Sequence, residues 1–156
     1  MPARADLGLL FRRAVPVTGL VPVRAAPIEH ERERRALIIE DRPDLTLMIA
    51  ELLRSLGYGL FQIASSEEGA IRAAGSYLPD LIVADDRIRL GSSIAAIEAI
   101  CRDIAIPVVY LVADPDASRL ASPHAVLVEQ PFGRRTLRDA IERSVALAAR
   151  LSGPAS

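Results

Sequence analysis

The chain has 156 residues, 51% of them hydrophobic and 25% charged. That is the size of one domain, long enough to bury roughly 68–70% of its unfolded surface without staples. Its 19 basic and 20 acidic residues leave a net charge of -1, which excludes nucleic-acid binding driven by bulk charge. A single cysteine, Cys101, excludes an internal disulfide and a cysteine zinc site and fits a reducing cytoplasm. No apolar run approaches the ~20 residues of a membrane span. The chain contains neither lysine nor asparagine, so all its basic residues are arginine. Codon bias in a GC-rich genome produces that pattern, and any mechanism that needs a lysine must be altered here.

The first apolar stretch is followed, not preceded, by Arg12 and Arg13, the reverse of a secretory signal. Residues 1–35 carry four of the eleven prolines and a net charge of +3, leaving -4 for residues 36–156. Pro16, Pro22 and Pro27 are too closely spaced for a helix, and each lacks the amide of a central strand. The reading is an extended N-terminal arm over 1–35, ending in a charged lead-in, then one domain over 36–151 and a short tail over 152–156.

From Ala36 a regular alternation begins. Ala36–Glu40 is an apolar run ending in acids, as a buried parallel strand looks. Pro43 opens an amphipathic helix carrying Leu45, Ile49, Leu52 and Leu56 on one stripe and stopped by Gly57. Tyr58–Ala64 reads as a strand. Ser65 or Ser66 with Glu67 and Glu68 starts a helix running to about Gly75. Leu81–Ala84 is a buried strand ending on Asp85 and Asp86, and after a loop with Gly91 a helix covers about Ile94–Asp103. Pro107–Val112 is the fourth strand; Asp114–Pro123 has room for only a turn or two of helix. Ala125–Glu129 is the fifth strand, and Arg134–Leu151 the last helix.

Strands alternating with helices make an α/β fold, a doubly wound parallel sheet covered on both faces. Chemistry in such sheets sits outside the carboxyl ends of the strands. Those ends carry Glu40 with Asp41, Asp85 with Asp86, Val112, and Glu129 with Gln130. Carboxylates converging from two strand ends raise one another's pKa. A divalent cation with several waters, such as magnesium (Mg2+), relieves that cost. A carboxylate beside it can accept a phosphoryl group as an aspartyl phosphate.

These residues resemble the receiver domain of two-component response regulators. "LIIEDRPDL" matches the first strand with its acid pair, and "PDLIVADDRI" the third strand with its phosphoacceptor. "IPVVYLVA" matches the fourth strand, and "EQPF" stands where the family has lysine-proline-phenylalanine. The "RLGSS" loop and the shortened fourth helix look most like the receiver half of sigma-factor-mimicking stress regulators. The resemblance implies a flavodoxin-like sheet of order 2-1-3-4-5. It also implies Asp85 as phosphoacceptor, with magnesium held by Glu40, Asp41, Asp85 and the backbone carbonyl of Arg87.

Three switch positions depart from the family. Val112 replaces a hydroxyl residue, Leu127 an aromatic, and Gln130 the lysine before a bond to Pro131 that the family makes cis. Gln130 keeps an amide donor but supplies no charge. Accepting a phosphoryl group is therefore expected to survive better than reporting it. The resulting expectation is an atypical single-domain response regulator, not an enzyme, cytoplasmic, acting through protein contacts. Its phosphodonor would be a sensor histidine kinase or a phosphotransfer protein. Its downstream partner is an unidentified protein, and the sequence is compatible with a homodimer. The competing reading is a pseudo-receiver, an interaction module that is not phosphorylated in the cell. An aspartate-nucleophile phosphatase would need an acid where Arg87 stands, and a lysine.

Overall fold

The computed structural model describes residues 33–114, 116 and 125–153. The expected arm upstream of Glu33 and the short helix between the fourth and fifth strands lie outside them. Five strands are described: β1 (Arg34–Ile39), β2 (Tyr58–Ala64), β3 (Leu81–Asp85), β4 (Val108–Val112) and β5 (Ala125–Glu129). Four helices accompany them: α1 (Pro43–Ser55), α2 (Glu67–Ser76), α3 (Ser93–Ile100) and α4 (Arg134–Leu151). The strands form one parallel sheet in the order β2-β1-β3-β4-β5.

The unbroken apolar runs of β1, β3 and β4 follow from burial on both faces. Successive side chains point to opposite faces, so Ala36 and Ile38 join one core while Leu37 and Ile39 join the other. The first core packs β1, β3 and β4 against α1 (Ile49, Leu52, Leu53) and α4 (Leu137, Ala140, Ile141). The second packs the opposite face against α2 (Ala70, Ala74) and α3 (Ala96, Ile97). Fully burying each Leu or Ile contributes ~1.5–3 kcal/mol, so truncating Ile38 or Leu111 would lower the stability of the whole domain rather than alter its chemistry alone.

Local signals fix the ends of the helices. Pro43 opens α1, and the turn after it closes through Gly57 at φ +92°, a left-handed conformation that favours glycine. Ser66 caps α2 by accepting the Gly69 amide at 3.0 Å, and Ser92 caps α3 by accepting that of Ala95 at 3.1 Å.

Two boundaries differ from the sequence reading. Arg34 and Arg35, expected in the charged lead-in, are the first residues of β1. The Arg35 amide donates to Asp80 Oδ2 at 2.8 Å, the Asp80 amide donates to the Arg35 carbonyl at 2.8 Å, and the guanidinium lies 4.4 Å from the Tyr77 ring. Helix α3 ends three residues early, leaving Cys101 as its C-cap with a thiol pushed up in pKa by burial.

Because all strands run the same way, the acids after β1 and β3, Val112 and Gln130 come to one edge of the sheet. β1 and β3 are neighbours at its centre, where the winding of the chain reverses.

Candidate functional site

Glu40 follows β1 and Asp85 ends β3; they are 2% and 1% exposed. Each is held by the backbone that turns away from its strand. Glu40 Oε1 accepts the amides of Asp41 and Arg42, both at 3.0 Å. Asp85 Oδ1 accepts the Arg87 amide at 2.7 Å. Glu40 Oε2 is buried and has no hydrogen-bond partner among the described residues. Two adjacent buried carboxyls cannot both ionise freely. Burial first, and then the neighbouring Asp85 carboxylate, push Glu40 up to about 7. Burial also works against an ionised Asp85. There the Arg87 amide, Glu40, Gln130 and the Arg42 charge outweigh it and hold the group below its ordinary value.

The positive charge of the pocket comes from Arg42, which sequence reasoning missed. Its Nη2 donates to Asp85 Oδ2 at 2.8 Å and to Gln130 Oε1 at 2.9 Å, and its Nε stands 3.4 Å from Glu40 Oε1. Gln130 Nε2 donates to the same Asp85 oxygen at 3.1 Å. Gln130 is thus bonded to both the cation and the carboxylate. An arginine directly after an acid pair, in a chain with no lysine, was the signal that could have pointed to it.

The remaining positions divide. Asp41 is turned towards the loop after β3, where its Oδ2 accepts the Arg89 amide at 2.9 Å. Val112 is buried and offers no side-chain donor; its carbonyl accepts the Gln130 amide at 2.8 Å. Leu127 is half-buried against the second core. The Gln130–Pro131 bond is cis. Asp86, the first residue after β3, ties β3 to β4: its amide donates to the Leu111 carbonyl at 3.0 Å and its Oδ2 accepts the Ala113 amide at 3.4 Å. Burial raises its pKa, the Ala113 amide opposing and Asp85 adding to the shift.

Among the described residues no three His, Cys, Asp or Glu side chains form a group that could hold a metal ion, since Asp41 faces Arg89 and Arg42 bridges Glu40 and Asp85. Magnesium, however, needs only one or two carboxylates and keeps its waters. The orphaned Glu40 Oε2, buried against Asp85, is the oxygen that calls for a proton or a cation. The donor set therefore fits a hard divalent ion. Among the described residues no helix is long and apolar enough to cross a membrane.

The sheet order and the acids gathered at its carboxyl edge define a class, and comparison with known proteins names it. The chain has the receiver-domain fold and is similar to response regulator receiver domains, that of PhyR among them. It is 28% identical over 121 residues to the phyllosphere-induced regulator PhyR of Methylorubrum extorquens, covering 74% of this chain and 45% of that protein. It is 32% identical over 117 residues to the transcriptional regulatory protein PdtaR of Mycobacterium tuberculosis, covering 72% of this chain and 57% of that protein. The chain thus spans about half the length of the curated relatives it matches. The solution structure of the PhyR receiver domain of Erythrobacter litoralis superimposes with a TM-score of 0.67 at 28% identity, covering 80% of this chain and 96% of that one. No family model matches the chain.

Proposed function

We propose that the domain accepts a phosphoryl group on Asp85 in a two-component phosphorelay and acts through protein–protein contacts. One observation carries this reading: a carboxylate 1% exposed, at the end of the central strand, is kept ionised by an amide and a guanidinium beside a second, partner-less carboxyl oxygen. A buried carboxylate held charged at the carboxyl edge of such a sheet is placed to act as a nucleophile. In the reaction an Asp85 oxygen forms the new bond to phosphorus as the donor's bond to phosphorus breaks. The departing group, a kinase or phosphotransfer imidazole, keeps the electron pair.

Glu40, Asp41, Asp85 and the Arg87 carbonyl are the residues that would hold magnesium, which when bound supplies neutralising charge to the transferring oxygens. Asp41 would have to exchange the Arg89 amide for that role. Exposed Leu47 and Ile63 line a groove that opens beside Glu40 and Asp41, an apolar surface suited to a protein donor.

A second reading, the unphosphorylated interaction module, is favoured by the same guanidinium: Asp85 already has a cation and two amide donors. Incubation with a small phosphodonor and magnesium, followed by mapping of the modified residue, separates the two. Label on Asp85 that disappears in Asp85→Asn is the expected result. Label that persists in that variant, or none under saturating donor, would overturn the assignment.

A further inference from the structure

We propose that Arg42, oriented by Gln130, is the residue that binds the phosphoryl oxygens once they are on Asp85; this rests on the receiver reading above. Asp85 has a side chain 2% exposed, whereas the Arg42 side chain that bonds it is 48% exposed. The guanidinium therefore lies across the mouth of the pocket, where any group transferred to Asp85 Oδ2 must arrive.

A guanidinium carries five donors in a planar fork that matches phosphate oxygens. The three contacts Arg42 makes here use only Nε and Nη2. Phosphorylation replaces the bonded carboxylate oxygen with a group carrying more negative charge and more acceptors. The arginine has only to shift outward along its flexible stem to stay bonded to it.

Gln130 explains why the fork stays there. Its Oε1 accepts from Arg42 while its Nε2 donates to Asp85 Oδ2. A side-chain amide both accepts and donates, on two different atoms, so it bonds the cation and the carboxylate together. A lysine at position 130 could not accept from Arg42 and would repel it. The two residues thus work as one unit, with charge from position 42 and orientation from position 130.

The test uses the full chain and beryllofluoride, a phosphoryl mimic, titrated with saturating magnesium and followed on amide spectra. Magnesium alone is titrated in parallel. Arg42→Gln should weaken beryllofluoride binding about tenfold or more, as loss of a charge-assisted contact does, while magnesium alone binds equally or more tightly. Gln130→Ala should weaken it in the same direction with the charge still present, and serves if Arg42→Gln fails to fold. Adding Gln130→Lys to Arg42→Gln should restore binding, because a cation then returns without a neighbour to repel it.

Unchanged or tighter beryllofluoride binding in Arg42→Gln or in Gln130→Ala would overturn the proposal, leaving Arg42 as a plug of the resting pocket. No beryllofluoride binding by the unmodified chain would be a different failure. It would overturn the receiver reading, and this inference with it.

Discussion

At Glu40 one carboxyl oxygen is held by two backbone amides and the other by none, in a residue 2% exposed. The consequence is a pH dependence with a definite sign. The folded pKa is pushed up to about 7 from an ordinary 4.5. Between those values the folded chain holds more protons than the unfolded one, so stability falls as pH rises through the window. Asp85 is shifted the other way from an ordinary 3.8, so its contribution is lost only as pH falls below about 4. Without magnesium, denaturant unfolding should therefore show stability declining between pH 5 and 7.5, by on the order of 1–3 kcal/mol. Glu40→Gln should flatten that decline, and so should saturating magnesium, which favours the ionised carboxyl. A slope that survives in Glu40→Gln would place the titrating group elsewhere.

Between residues and fold lies the loop joining β3 to α3, and its support comes from α2. Glu67, the first residue of α2, donates its amide to the Leu90 carbonyl at 3.0 Å and accepts the Ser92 amide on Oε2 at 2.8 Å. Gly91 between them has φ +85°, and a Cβ there would lie 2.5 Å from Glu67 Cβ. Gly91→Ala should thus combine a left-handed penalty of ~1–2 kcal/mol with displacement of Glu67, lowering the melting temperature by several degrees. An unchanged melt would show that the loop yields without cost.

The sequence read Glu67 only as a favourable charge at a helix start. What was legible was local: apolar runs marked the strands to within a residue or two, and Pro43 and the Ser65–Ser66 pair marked the starts of α1 and α2. What was not legible was long polar side chains reaching across the chain. Arg42 meets Asp85 at a separation of 43 residues, and Glu67 meets Ser92 at 25. Neither contact has a local pattern, because a long side chain's reach depends on which strands become neighbours. The same limit hid Arg34 and Arg35, charged residues that join β1 by pairing with β2.

For the whole molecule the relevant fact is that, among the described residues, both apolar cores are assembled between Ala36 and Ile141. The stretch 1–32 carries too few periodically spaced apolar residues to belong to a core, so a chain lacking it is expected to melt within a few degrees of the full one. The cut is sensitive to three residues. Removing 1–35 would also take away Arg35, and with it the amide-to-carboxylate bond to Asp80, the return bond from the Asp80 amide, and the contact with the Tyr77 ring. A hydrogen bond to a charged group contributes ~1.5–3 kcal/mol, a neutral one ~0.5–1.5, and an exposed cation–π contact ~0.5–1. The loss is thus about 3 kcal/mol, and at ~3–5 °C per kcal/mol for a domain of this size the melting temperature should fall by roughly 10 °C. Comparing the two truncated chains with the full one therefore separates an independent arm from the start of the first strand. A large drop already on removing 1–32 would mean that the arm contributes to the folded domain. Equal melts for both truncations would mean that the Arg35 contacts add nothing to stability.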